Sequence, residues 1–493
     1  MLNCNLDACT HRTPRPQRWI PARRVRRYSL LYSILATLSL TPYLHADETR
    51  PLNVVLIVAD DLGWTDLQSY GSDLHKTPHL DRLASQSVRF TQAYSSASIC
   101  SPTRAALMTG KYPARLGMTI WHEGAFSGPR TRGKLTTASS EWNLAREEQT
   151  LAEILRGEGY ATYHVGKWHL GDAAHFPETQ GFDVNIGGTH WGAPSTFFHP
   201  FRGPFGDELR YIPDIPGGQP GDYLTDRLTD EAIHLIESHR EKPFYLNLWY
   251  HTVHTPIEGK PELVAQYEEP AKTAKHHRHA TYAAMVHSLD ENVGRVLAKL
   301  EELDLMDRTL IIFTSDNGGV VHRTRWGTVT NNAPLRSGKG SLYEGGIRIP
   351  LLIRDPHGER QPKVCEQIVL SQDLFPTILE RVGSKTERIN QTGDSISLLP
   401  QLQRPDAMLD RKSVYWHYPH FYPTTTPVSA VRMGDHKLLY FYEDDRIELY
   451  DLKSDPGETD NLASQKKDLA HQLTVELQTW LKEVGARLPQ KTP

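Results

Sequence analysis

The chain has 493 residues, 38% of them hydrophobic and 23% charged, an ordinary balance for a folded soluble protein but too long for one average core. Its formal charge is −4, and beyond residue 46 it is −10, with 48 basic residues against 58 acidic ones. That surplus argues against nucleic acid and anionic membranes as partners, and it requires any anion site to be a local cationic pocket.

The first 46 residues hold seven arginines and one acid, with an apolar run from Leu30 to Leu40 and then Leu44-His45-Ala46. A basic segment, a short apolar segment and a small residue read as a secretory signal over 1–46, too short to serve as a membrane anchor. The mature protein is then secreted or periplasmic; Arg26-Arg27 leaves both general and twin-arginine export open, and an uncleaved basic tail is the alternative reading. Cys4 and Cys9 fall in this segment, so the mature chain keeps Cys100 and Cys365, too few for a disulfide scaffold.

The apolar, β-branched run Val54–Val58 predicts a buried strand within 51–61 that ends in Asp60-Asp61. Adjacent carboxylates face one ligand only if a hard cation offsets their repulsion, although such a pair also serves as a helix cap. Cys100-Ser101-Pro102-Thr103-Arg104 comes next; a helix starting near Pro102 turns Arg104 back toward Cys100. Residues 119–148 read as a polar loop and 150–158 as a helix. Gly166-Lys167-Trp168-His169-Leu170-Gly171 follows an apolar strand, and 186–222, rich in Gly and Pro, reads as a long surface loop. A helix over 223–239 precedes a strand over 244–250 that ends at His251 and His254. Another helix over 281–303 precedes the strand 310–313, which ends in Asp316-Asn317. Gly338-Lys339-Gly340-Ser341 and Tyr343-Glu344-Gly345-Gly346 follow, the glycines shaping a turn. After a helix over 373–382 and an aperiodic stretch to 411, four short strands lie between 414 and 450, with a closing helix over 468–484. Alternating strands and helices predict a layered α/β core, and the change of character places a boundary near residue 385.

The Cys-x-Pro-x-Arg segment and the blocks around Asp60, Lys167, His254, Asp316 and Lys339, in this order, resemble the type I sulfatases of the alkaline phosphatase superfamily. The resemblance is strong over about 52–350 and looser beyond. It implies an alkaline-phosphatase-like α/β domain with a central mixed sheet over 47–385, and a smaller C-terminal domain of antiparallel sheet and helix over 386–493. It also implies that a maturation enzyme oxidises Cys100 to formylglycine. One Ca²⁺ is expected on Asp60, Asp61, Asp316 and Asn317, touching the modified Cys100; an all-oxygen set suits such an ion. Arg104 and Lys167 are expected to hold the hydrated aldehyde, and Lys339 and His254 to bind sulfate and protonate the leaving oxygen. His169 is expected to deprotonate the second hydroxyl.

A polar residue that the family places shortly after Gly181-Phe182-Asp183 has no clear match here, and His190 is the nearest candidate. The expected substrate is a sulfate ester on a carbohydrate, a sulfated galactose or N-acetylhexosamine unit, with Trp121, His122, His190, Trp191, Trp416, His417, Tyr418 and His420 as candidates for sugar stacking. Two other readings stay open: a phosphodiesterase or phosphonate monoester hydrolase of the same superfamily, and a non-catalytic binding protein on the same fold.

Overall fold

The computed structural model describes residues 51–213, 215–238, 242–359, 361–386 and 393–492; the expected signal segment lies outside them, as do residues 387–392 beside the expected domain boundary. Seven buried residues, Asn53–Ala59, form β1. Val55, Ile57 and Ala59 enter one hydrophobic core and Val54, Leu56 and Val58 a second, so period-two alternation sorts a continuous apolar run onto both faces of the sheet.

Seven further strands complete the central sheet: β2 (Val88–Phe90), β3 (Ala161–Gly166), β4 (Val184–Ile186), β5 (Phe244–Trp249), β6 (Thr309–Ser315), β7 (Leu351–Arg354) and β8 (Lys363–Cys365). Their spatial order is β8-β2-β7-β6-β1-β5-β3-β4. Strands β6, β1, β5, β3 and β4 run parallel, while β7 is antiparallel to both β6 and β2, so the sheet is mixed, as expected. One face carries the helices Leu224–Ser238 and Ala280–Glu302, the latter burying Met285, Leu289, Val293, Val296 and Leu300 at helical spacing. Each such side chain stabilises the fold by about 1.5–3 kcal/mol. The other face carries Cys100–Thr109, Leu151–Gly157 and Leu374–Arg381. Thr150 and Glu153 close a reciprocal capping box at the start of the second of these.

Two expected loops contain structure. Residues 119–148 include the helix His122–Phe126 and short strands Thr131–Arg132 and Leu135–Thr136, and 186–222 includes a hairpin of Arg202–Phe205 and Glu208–Tyr211. Helix His122–Phe126 has little more than one turn, so there was no period to detect.

The strands Ser413–Tyr418, Val428–Met433, His436–Phe441 and Arg446–Asp451 form an antiparallel sheet in chain order, packed by the helix Lys467–Glu483. Trp416 and Tyr418 are 1% exposed in that core, and the Trp416 indole donates to Ser95 O at 2.8 Å. His417 is buried between Ser429 Oγ and Arg487 O. These three rings pack the core and offer no face to a sugar, which corrects the expectation for them. Lys437 joins this sheet to the segment after Lys339, lying 2.8 Å from Glu344 and 2.7 Å from Glu458, all three side chains fully buried. Among the described residues no helix is long and apolar enough to cross a membrane.

Candidate active site

Because β1, β5, β6 and β3 run parallel, their C-terminal ends share one edge, where ligands bind in open α/β sheets. That edge collects Asp60-Asp61, His251 and His254, Asp316-Asn317, and Lys167-His169. Residue 100 opens the ten-residue helix Cys100–Thr109, whose N-terminus favours negative charge. Asp61 and His169 both take left-handed backbone, φ 63° and 61°, a conformation that costs non-glycine residues energy and clusters at functional sites.

Three buried carboxylates meet three buried cations. Lys167 Nζ donates to Asp60 Oδ2 at 2.7 Å, and Lys339 Nζ to Asp61 Oδ2 at 2.8 Å. Arg104 donates from Nε and Nη2 to Asp316 Oδ2, at 2.9 and 2.7 Å, and from Nη1 to Lys167 O at 3.1 Å. Burial pushes the Asp60 carboxyl well up, with Asp316 and Asp61 adding to it against Lys167 and Arg104. Burial pushes Asp61 the same way, but Lys339 and His254 prevail and hold it below the usual carboxylate range. Burial opposes the charge on Lys339, yet Asp61 keeps it firmly an ammonium.

The residues fit a hard divalent ion. Asp60 Oδ1 and Asn317 Oδ1 are buried and have no hydrogen-bond partner among the described residues, so each keeps lone pairs for a cation. Asn317 Nδ2 donates to Asp61 Oδ1 at 2.8 Å, which aligns the amide with the carboxylate. Ligand atoms of Asp60, Asp61 and His254 also lie within 4.8 Å of one another. A second grouping of that kind, Asp66, His75 and His277, supports the turn after Asp61: Asp66 accepts from Gly63 N, Tyr282 OH and Thr330 Oγ1.

Cys100 Sγ lies 3.4 Å from His169 Nδ1 in a pocket of about 180 Å³ that is also lined by Glu123, Arg210, His254 and Lys339. His254 hydrogen-bonds through Nδ1 to Thr255 O at 2.9 Å, and its Nε2 lies 3.5 Å from Asp61 Oδ2. Burial, with Lys339 beside it, pushes this imidazole down to about 3. All the expected site residues therefore gather at one place. Arg104 and Lys167 are fully buried, donate to Asp316 and Asp60, and are not among the residues that line the pocket. His190 packs against Trp191 and His122, outside the residues that line it.

Glu123 and Arg210 escaped the sequence reading. His169 Nε2 meets Glu123 Oε2 at 2.7 Å, while Arg210 Nη2 lies 3.2 Å from Glu123 Oε1 and Gly192 N donates to the same oxygen at 3.1 Å. A Cβ on Gly192 would stand 2.3 Å from His169 Cε1, so only glycine admits this approach. Glu123 and Arg210 lie in the two stretches read as loops, where no motif or periodicity marked them. Glu123→Gln should lower kcat about 10–100-fold while leaving the melting temperature near wild type, because it loosens the ring facing residue 100; steady-state kinetics beside a thermal melt check this.

The Sulfatase family model matches residues 52–384, and the model for the N-sulphoglucosamine sulphohydrolase C-terminal region matches 338–486. A sulfatase of Formosa agariphila is 32% identical, with 91% of this chain and 93% of that protein covered. Human arylsulfatase A is 33% identical over 84% of this chain and 83% of its own length. The crystal structure of Ps i-CgsB in complex with k-i-k-neocarrahexaose superposes with a TM-score of 0.73 at 29% identity, covering 88% of this chain and 93% of that one.

Proposed function

The chain belongs to the sulfatase family and is a sulfuric ester hydrolase, and from that premise we propose that it removes sulfate from a carbohydrate, using formylglycine at residue 100 and one Ca²⁺. The observation that carries this reading is the pairing of Asp60, Asp61 and Asp316 with Lys167, Lys339 and Arg104 beneath Cys100. Three negative and three positive charges cancel, so a divalent ion leaves the buried cluster at net +2, the complement of a sulfate ester in an otherwise acidic protein. The saccharide is supported by the neocarrahexaose bound to the similar structure. We also propose export of the mature protein and a C-terminal domain beginning near residue 386.

Cys100 Sγ marks the end of the side chain that the modification would change. Formylglycine at residue 100 would supply, once hydrated, a diol nucleophile, and a calcium ion held by Asp60, Asp61, Asp316 and Asn317 would ease its deprotonation and lower the cost of the negative charge that develops. His169 Nδ1, beside residue 100, would accept a proton from a hydroxyl carried there, and Glu123 on Nε2 would offset the positive charge that results. Lys339 and His254 line the pocket on the sulfate side. An anionic ester seated there would favour the imidazolium against the burial and the Lys339 charge that keep His254 neutral, and its Nε2 could then hand a proton to the leaving oxygen. Arg104 holds Asp316, and Lys167 holds Asp60.

A panel of sulfated saccharides tested for sulfate release examines the substrate class; turnover of aryl sulfates with none of any saccharide sulfate would overturn it. Exhaustive chelation should abolish sulfate release, and Ca²⁺ added back should restore it, with one ion per chain by elemental analysis. Full activity after chelation, or a stoichiometric zinc content, contradicts the metal assignment.

A further inference from the structure

Beside the catalytic pocket of about 180 Å³ lies a larger cavity of about 430 Å³. The two share Trp121 and Tyr422, whose rings meet edge to face at 5.8 Å and form the partition between them. One wall of the larger cavity is the 130–137 hairpin, where Arg130 N donates to Thr137 Oγ1 at 2.9 Å. The other wall is the turn that links the first two strands of the C-terminal sheet and carries His420, Phe421 and Tyr422.

Arg130 and Arg132 line this cavity, and both are exposed. Among the described residues neither forms an ion pair, so both keep their donors free for an anion. The Arg132 guanidinium lies 5.5 Å from the centre of the Phe421 ring, which holds it over the cavity. The partition is rigid as well. A Cβ on Gly340, next to Lys339, would stand 2.1 Å from Tyr422, and Thr424 Oγ1 donates to Lys339 O at 2.6 Å.

Two unpaired guanidinium groups beside aromatic side chains, in a cavity that adjoins the sulfate-cleaving pocket across the Trp121–Tyr422 pair, are suited to an anionic sugar ring. We propose that this cavity is a second subsite, which binds a sulfate group carried by the sugar next to the one being desulfated. The substrate is then an oligosaccharide or polysaccharide sulfated on neighbouring units rather than a free monosaccharide sulfate. This rests on the carbohydrate reading above and adds the neighbouring charge.

The test compares two galactan oligosaccharides of equal length, one with a single sulfate and one with a second sulfate on the adjacent ring, alongside an aryl sulfate. Wild-type kcat/KM should be about 5–30-fold higher for the doubly sulfated oligosaccharide, and that preference should shrink as salt rises. The double variant Arg130→Ala, Arg132→Ala should lose the preference, lowering the ratio of doubly sulfated to aryl turnover by a similar factor, mainly through KM. Arg132→Lys, which keeps the charge, should retain part of it. Equal kcat/KM for the two oligosaccharides, or a ratio the double variant leaves unchanged, overturns the subsite while the carbohydrate reading stands. Aryl turnover with no oligosaccharide turnover removes both.

Discussion

Cys100→Ala should yield a folded, calcium-binding protein whose turnover is at least ~10⁴-fold below wild type. The side chain is 3% exposed at the start of its helix, so truncation removes one small group and costs only about 1 kcal/mol of stability. The carboxylates, Lys339 and both histidines keep one another in place without Sγ, so binding of inorganic sulfate should survive. Cys365 is the control. It is buried in the core on β8, and burial pushes its thiol up to about 11, which leaves it inert. Cys365→Ala should therefore cost stability and leave kcat near wild type. Substantial activity in Cys100→Ala would place the nucleophile elsewhere.

His254→Ala and His169→Ala should separate two chemical steps. His254 faces the leaving oxygen in the proposed reaction, so its loss should cost ~10²–10⁴-fold on a sugar sulfate, whose alkoxide needs a proton, and under about tenfold on an aryl sulfate, whose phenoxide needs little. His169 lies 3.4 Å from Cys100 Sγ and serves release of sulfate from residue 100, a step both substrates share. His169→Ala should slow them alike, after a burst of one alcohol per site, with sulfate retained on the protein. Metal content and modification at residue 100 are measured for each variant. Equal losses on both substrates in His254→Ala would remove its role as leaving-group acid.

The central strands were legible because a strand buried on both faces requires an unbroken β-branched run, and 54–58 and 310–313 provide one. Parallel pairing then places their polar ends on one edge, so Asp60, Asp61, Asp316 and Asn317 meet although about 255 residues separate the two strands. What sequence did not reveal depends on tertiary placement. Glu123 reaches His169 from a helix of five residues, and Arg210 reaches Glu123 from a hairpin read as loop. The aromatic run 416–418 has the composition of a sugar platform, but alternation along an antiparallel strand did not decide which rings the closing helix would cover. That Arg104 donates to Asp316 and Lys167 to Asp60 follows from side-chain packing alone.

The account turns on the chemical identity of residue 100, and peptide mass spectrometry of an active preparation reads it directly. The fragment containing residue 100 should carry an aldehyde, with oxygen in place of sulfur and two hydrogens fewer, and should react with a hydrazide probe. The aldehyde fraction should rise in proportion to specific activity across preparations. A fully active preparation in which Cys100 is entirely alkylatable thiol would contradict the account.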